Sequence, residues 1–355
     1  MDLPFLPAAS ATPGFKPRCK VAPPAPAAGG GGLLDMAMSL LSAPAPDPWA
    51  DHLTQVDVLL APAPAVSHAR LTLTDRDGAP QVVAGDELRV ELGEEGALSG
   101  VLQGEVLAVE GEPGARRTVV LASAAVKLAR RRENASYRAR ALVDLLQTFA
   151  SSAGLTPGAL ESGGRFEFLS IDDRRSLWEW AGLLAAQADL LVWTDGDGAL
   201  RCTKPGGPPL RTYTYAQDVL ALEHRTGAAA LGALTVVGEG AAGSQGAAAW
   251  SWLVKDTGSV TGNAGGGDPA RVQREGALRS AADVRAAAQA GVRRATAAAS
   301  RISLRVPGSP DLIPGATVKL TGCPGGRGDG AWVIDTARHR YARGGYVVQI
   351  EAVSA

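Results

Sequence analysis

The chain has 355 residues, of which 46% are hydrophobic and 20% are charged, and its 35 Lys and Arg against 36 Asp and Glu give a formal net charge of -1. This length is too great for one ordinary core and predicts two or three packed units in a soluble protein. The near balance of charge excludes a nucleic-acid binder held by bulk basicity, so we expect no specific nucleic-acid binding.

Cysteine usage and hydropathy exclude further classes of protein. Cys19, Cys202 and Cys323 are far apart and form no CxxC pair, which argues against a zinc site or a disulfide framework and favours free thiols. No apolar run approaches the about 20 residues that cross a bilayer, so we expect no membrane insertion. Basic residues follow the first apolar residues, the reverse of a signal peptide, which predicts synthesis in the cytoplasm.

Residues 1–51 form the first segment and are rich in Pro, Ala and Gly. Such a composition buries too little surface to offset its ordering entropy. Residues 33–41 are compatible with one short helix. We interpret the whole segment as an arm that orders only against partners, and a disordered tail is the alternative.

Residues 52–132 show strand-like alternation of apolar and polar residues. Short alternating stretches separated by glycine-rich turns predict a small antiparallel barrel or sandwich, the first β-barrel domain. The predicted strands cover residues 70–74, 88–92, 97–109 and 118–122.

Residues 133–208 change to helical periodicity and predict an α/β insertion. A helix is expected over residues 140–153, because an apolar stripe precedes Gly154, a typical helix stop. A second helix is expected over residues 172–188, with Ser170 and Asp173 as its cap. Residues 190–203 then predict a hairpin across the DGDG turn at 195–198.

Residues 209–355 return to β character and predict a second β-barrel domain. A long exposed loop is expected over residues 241–279, where the composition is of low complexity. A helix is expected over residues 280–300, with Ser280 and Asp283 as its cap. The predicted strands cover residues 219–224, 233–238, 302–306, 317–320, 331–335 and 346–352. The predicted fold class is therefore α+β and mainly β, with two antiparallel tube-like barrels flanking an α/β insertion.

Catalytic motifs are missing from the sequence. None of the four histidines has a second His or Cys at metal spacing, and neither a GxSxG elbow nor a phosphate loop occurs. The DGDG turn lacks the acidic twelfth residue of a calcium loop, because Gly206 occupies that place. The adjacent Asp172 and Asp173 favour a helix start over glycoside chemistry. We therefore expect no catalytic residue, cofactor or metal site, and a protein that is not an enzyme.

Two regions resemble a known family. The first covers residues 134–203 and contains a helix ending in AGL, a strand, a helix with WEWAGLLA and a hairpin with LVWTDGDGAL. The second covers residues 301–351, with LIPGATV, WVI followed by RH, and a closing GY. In this order and spacing the motifs resemble the phage late-control D family, which includes tail hub proteins and the hub part of VgrG spikes. The resemblance extends from about residue 56 to the end.

The resemblance implies an assembly and its partners. Each subunit of this family contributes two similar barrels, so a homotrimer presents a pseudo-hexameric ring. A hexameric inner tube protein would stack on one face and a trimeric spike protein would dock on the other, with baseplate wedge proteins around them. The protein would be made in the bacterial cytoplasm and become a structural part of the baseplate of a contractile phage tail or injection particle.

Subunit interfaces are expected on four stretches, residues 70–74, 88–92, 312–318 and 346–350, because strand edges that pair between chains are protected from aggregation. Further candidates come from the family motif in residues 332–339. The candidate interface residues are Leu71, Leu73, Leu88, Val90, Leu312, Pro314, Gly315, Val318, Trp332, His339, Tyr346 and Ile350.

Two alternatives remain open. One is a spike-associated enzyme, since hub relatives can carry lysozyme-like or effector domains. The other is a carbohydrate-binding adhesin of the tail tip, although most of the seven Trp fall in predicted core elements. Binding to glycans by the isolated protein would favour the adhesin, and a ring-shaped trimer would favour the hub.

Overall fold

The computed structural model describes residues 16–24, 47–239 and 260–355, and these ranges are mainly β. The strands are β1 (Pro17–Ala22), β2 (Leu53–Leu60), β3 (His68–Thr74), β4 (Glu87–Glu94), β5 (Ala97–Glu112), β6 (Arg116–Ser123), β7 (Ala135–Ala141), β8 (Pro157–Leu160), β9 (Arg165–Ile171), β10 (Leu191–Thr194), β11 (Leu200–Thr203), β12 (Arg211–Thr214), β13 (Ala221–Thr226), β14 (Ala233–Gly238), β15 (Thr261–Gly265), β16 (Ala270–Glu275), β17 (Ser300–Pro307), β18 (Thr317–Thr321), β19 (Gly330–Ala342) and β20 (Gly345–Ser354).

Helices are few and short apart from the last. The α-helices in the described ranges are α1 (Pro48–His52), α2 (Val126–Ala129), α3 (Leu142–Ser152), α4 (Leu177–Gln187) and α5 (Ala281–Ala298). The prediction for α3 is confirmed, because its apolar stripe is buried and Gly154 follows it in the left-handed conformation at φ 68°. The cap predicted for α5 is confirmed as well, because the Asp283 amide donates to the Ser280 hydroxyl.

Helix α4 begins at Leu177, five residues later than predicted. The Glu179 amide donates to the Ser176 hydroxyl at 3.3 Å, and the Ser176 amide donates to the Glu179 carboxylate at 2.7 Å. This reciprocal capping box fixes the helix start. The predicted cap at Ser170 and Asp173 is wrong, since Ser170 belongs to strand β9 and residues 172–175 form the turn before the helix.

One twelve-stranded sheet forms the frame of the molecule. Its main path runs β1-β4-β5-β6-β3-β2-β19-β20-β17-β13, and β12 and β18 join it beside β19. All pairs along the main path are antiparallel, whereas β12 lies parallel to β18. Strands from both predicted β regions therefore belong to one sheet, and with β1 from the arm it has six strands on each side of the contact between β2 and β19; β14, β15 and β16 form a separate three-stranded sheet.

Strand β19 joins the two halves. Along one edge it pairs with β20 over most of its length. Along the other edge its first residues pair with β18, and residues 337–342 pair with residues 55–60 of β2. A register shift between Ile334 and Thr336 lies where the strand passes from one partner to the other, and irregular pairing of this kind bends a strand.

Two hydrophobic cores lie against this frame. The first contains inward-facing residues from both halves of the twelve-stranded sheet. The second combines the predicted insertion with strand β14 and helix α5, through residues such as Phe149, Trp178, Leu234 and Val284. Part of the predicted second β region, residues 233–298, thus contributes to the core of the insertion.

The predicted loop over residues 241–279 is wrong in its second half. Residues 261–265 and 270–275 form strands β15 and β16 on either side of β14, while residues 240–259 lie outside the described residues. A Cβ on Gly262 would lie 2.3 Å from the Arg285 amide nitrogen, so the absent side chain permits the close approach of α5.

Part of the N-terminal arm is ordered within the chain. Residues 17–22 form β1 and pair with β4, from Pro17 opposite Glu94 to Ala22 opposite Arg89. The expectation that the whole arm needs a partner to order is therefore wrong for this strand. The helix expected over residues 33–41 lies outside the described residues.

Candidate functional site

The predicted interface residues lie mostly in the interior of the chain. Gly315 is half-buried, and the other eleven are buried. The alternation of a half-buried strand explains this, because apolar side chains point to the core and polar ones to the surface. These side chains stabilise the strands, so a subunit contact there would use the outward-facing residues and the strand edges. The buried candidates are Leu71, Leu73, Leu88, Val90, Leu312, Pro314, Val318, Trp332, His339, Tyr346 and Ile350.

His339 lies in a fully buried polar network. Its Nδ1 accepts a hydrogen bond from the Tyr346 hydroxyl at 2.7 Å, and its Nε2 donates to the Leu312 carbonyl at 3.0 Å, which requires the neutral tautomer protonated at Nε2. Burial lowers the pKa of His339 to about 4. The neutral ring thus ties β19, β20 and the loop before Pro314 together.

The Pro314–Gly315 turn connects the insertion to the sheet. Gly315 has φ 85°, a conformation that favours glycine, and its amide donates to the Ile334 carbonyl at 2.8 Å. The Gly315 carbonyl in turn accepts from the Gly206 amide at 2.9 Å. The turn is therefore more than a local bend, because it fastens the end of the insertion to β19.

A cleft of about 530 Å³ lies where the β4–β5 hairpin, the β10–β11 hairpin and the loop at residues 309–313 meet. Apolar side chains form much of its wall, including the half-buried Trp193. Its carboxylates are engaged in ion pairs: Asp195 with Arg201, Asp197 with Arg89, and Asp311 with Arg211. The apolar residues that line it are Leu60, Leu98, Val101, Trp193, Pro310 and Ile313.

Asp311 is held in the ionised form by its hydrogen-bond partners. Burial alone would raise its pKa, but hydrogen bonds from Ser309 and from the Arg211 guanidinium outweigh burial and hold the pKa below its usual value. A carboxylate held in this way is a structural anion and a poor general acid near neutral pH. Through its ion pair with Arg211, Asp311 joins the loop at residues 309–313 to β12.

Neither the thiol groups nor the metal-ligating side chains of the described residues form a reactive centre. Burial raises the pKa of the Cys19 and Cys202 thiols to about 12 and that of Cys323 to about 11, so these thiols are protonated and unreactive. Within residues 16–24, 47–239 and 260–355, no three His, Cys, Asp or Glu side chains are grouped to hold a metal ion. In the same ranges, no helix has the length and apolarity needed to cross a membrane.

In the part of the chain that the structure describes, each end strand of the main path has one paired edge: β1 pairs only with β4, and β13 pairs only with β17. Both end strands carry charged outward residues, Arg18 and Lys20 on β1 and Glu223 and Arg225 on β13. Charged side chains on an edge disfavour unspecific pairing.

Sequence reasoning missed the residues at the junction of the two halves. Arg338 forms two hydrogen bonds to Asp57, at 2.7 and 2.6 Å, and Arg340 lies 3.6 Å from the same carboxylate. An Asp in an alternating strand looks like an ordinary surface residue in the sequence. Only the pairing of β2 with β19 identifies its partners.

Comparisons with solved structures identify the fold. The 43 kDa tail protein of prophage MuSo2 from Shewanella oneidensis has a TM-score of 0.65 at 14% identity, over 85% of this chain and 94% of its own. A tail protein from Neisseria meningitidis MC58 has a TM-score of 0.65 at 12% identity, over 85% and 92%. An Escherichia coli component of the type VI secretion system, structurally similar to bacteriophage T4 tail proteins, has a TM-score of 0.57 at 14% identity, over 86% and 74%.

Comparisons of the sequence do not extend the result of the structural comparisons. Neither a protein-family model nor a curated protein matches the chain. The structural matches nevertheless extend over most of the chain and most of each relative. The chain has the fold of phage tail proteins, and at the level of the fold its resemblance to the phage late-control D and tail hub family is confirmed.

Proposed function

We propose that the protein is a structural hub in the baseplate of a contractile phage tail or a phage-like injection system. The observation that carries this proposal is the division of the sheet at the β2–β19 contact into two six-stranded halves. Three copies of such a chain present six sheet units, which suits a ring with a sixfold tube on one face and a threefold spike on the other.

The fold and the polar contacts support a passive, mechanical role. Tail proteins share the fold, and the cleft carboxylates are ion-paired. A hub has to transmit load between its two halves, and the Asp57–Arg338 contact and the shared core join them. The partners in this proposal are two further copies of the chain, the hexameric inner tube protein, the trimeric spike protein and the baseplate wedge proteins.

Solution mass and electron microscopy test the proposal. A homotrimer has a mass of about 109 kDa, three times the 36.3 kDa of one chain, and negative-stain images should show rings with a central opening. A protein that remains a monomer at micromolar concentration, without rings, would contradict the hub.

The position of the protein in the particle tests its assignment to the baseplate. A tag at an exposed site, for example after Gly344 in the β19–β20 turn, should be labelled by gold-conjugated antibody at the spike end of assembled particles. Labelling along the whole tube would indicate a tube subunit, and labelling on fibres would favour an adhesin.

A further inference from the structure

Strand β1 is joined to the rest of the chain by a connection longer than its position requires. Residues 23–47, 25 in number, separate β1 from α1, yet β1 and α1 contact each other. A connection of 25 residues can span up to about 80 Å when extended. When β1 pairs within its own chain, the two ends of this connection therefore lie much closer together than its length allows.

The contact of β1 with β4 is formed by complementary residues on both faces of the strand. Val21 is buried in the first core, and Cys19 packs against that core. On the solvent side the charges are complementary, since Arg18 lies 3.2 Å and Lys16 lies 3.8 Å from Glu95. Lys20 is directly opposite Glu91 in the strand register.

Each copy of the chain thus carries both β1 and the edge of β4 with which β1 pairs. The contacts between β1 and β4 are identical whether the two strands come from one chain or from two. Pairing within one chain and pairing between two chains differ in the entropy of loop closure and in the local concentration of the β4 edge. The entropic cost of loop closure changes slowly with loop length, and within an oligomer the local concentration of the neighbouring copy's β4 edge is high. Exchange of an identical element is a low-cost route to a closed assembly.

We propose that in the assembled protein β1 of each copy pairs with β4 of the neighbouring copy. This inference rests on the proposed self-assembly of the chain and names the contact that holds neighbouring copies together. The exposed Lys16, Arg18 and Lys20 guide each strand to the acidic β4 edge, where Glu91, Glu94 and Glu95 lie.

A two-chain cysteine experiment tests the exchange. Cys19, Cys202 and Cys323 are first replaced by Ala. One tagged chain then receives Lys20→Cys, and a second chain with a different tag receives Glu91→Cys. Positions directly opposite on antiparallel strands lie within reach of a disulfide. Neither chain can close a disulfide internally, so we expect a covalent heterodimer after co-expression and mild oxidation, which reductant removes.

Three further arms complete the design. A chain with both Lys20→Cys and Glu91→Cys should give covalently closed trimers, and Glu110→Cys on the far end of β5, in place of Glu91→Cys, should give no product with Lys20→Cys. A second pair in the same cysteine-free background, Ala22→Cys in one chain against Arg89→Cys in the other, repeats the test at a nearby register position. This repeat covers the case in which the first pair perturbs the strand.

The outcomes separate the two proposals. A trimer by mass with an interchain disulfide supports the exchange. A trimer in which the doubly substituted chain closes only an internal disulfide overturns the exchange and leaves the hub intact. A monomer by mass overturns both.

Discussion

The Arg338 guanidinium on β19 donates hydrogen bonds of 2.7 and 2.6 Å to the two carboxylate oxygens of Asp57 on β2. The two residues are separated by 281 positions in the chain and meet where the two six-stranded halves of the sheet join. The Asp57 side chain is only 15% exposed, whereas Arg338 is 44% exposed. The paired geometry holds the strands in register at a place where no turn connects them.

Asp57→Ala is expected to lower the free energy of unfolding by about 1–3 kcal/mol, because Arg338 and Arg340 lose their common partner. A double-mutant cycle with Arg338→Ala should give a coupling of about 1 kcal/mol, modest because the arginine is partly solvated. Urea unfolding measures both values. The same cycle at the exposed pair Arg165–Glu167 should give a coupling near zero, and equal coupling at both pairs would contradict a special role for the junction.

The buried His339 predicts a pH dependence of stability. Its folded-state pKa of about 4 lies below the ordinary value of 6.5, so between these values the unfolded chain binds more protons than the folded one. Stability from this residue is therefore complete above pH 6.5 and falls as the pH drops toward 4, by up to about 3 kcal/mol. His339→Gln should flatten this part of the profile in denaturant titrations, whatever its effect at pH 7. Parallel profiles for the two proteins would refute the assignment.

Two serines near the start of α4 distinguish the observed cap from the one that the sequence suggested. Ser176→Ala removes the acceptor for the Glu179 amide and should cost about 1 kcal/mol of stability. Ser170→Ala changes an exposed position on β9 and should stay within about 0.5 kcal/mol of the parent. Thermal or urea unfolding of the two variants is the measurement, and the reverse order of effects would place the helix start at Ser170.

The β10–β11 hairpin should be sensitive to one added methyl group. A Cβ on Gly196 would lie 2.0 Å from the Gly100 carbonyl oxygen, so Gly196→Ala should push the hairpin away from β5. We expect a loss of about 1–3 kcal/mol and faster amide exchange over residues 191–203. Gly227→Ala is the matched control, since its Cβ would meet nothing within 4 Å, and it should leave stability and exchange unchanged.

The sequence was sufficient for elements whose signal is local. The apolar stripe of α3, the alternation in residues 317–320 and the DGDG turn each carry their own pattern, and the structure confirms them. The pairing of strands could not be predicted from local patterns, because nothing in residues 55–60 indicates that they will lie beside residues 337–342. The resemblance to tail hub proteins indicated the fold through the order of several weak motifs.

Two local signals were misleading for physical reasons. The glycine-rich composition of residues 241–279 predicts a loop, yet Gly262 lies in strand β15, where a side chain would collide with α5. Most of the predicted interface residues are apolar positions in alternating strands, and those positions are the ones that a single chain buries first. A contact between copies is determined by outward side chains and free edges, which carry weak patterns in one sequence.

The pairing of β2 with β19 has a consequence for synthesis on the ribosome. Strand β2 is complete at residue 60, but its partner is not available until translation reaches residue 342. During that interval the first half of the sheet has an open edge at β2, which unpaired strands of other nascent chains can occupy. Completion of the frame is consequently a late, long-range event, and slow maturation is the expected behaviour of this chain in the cell.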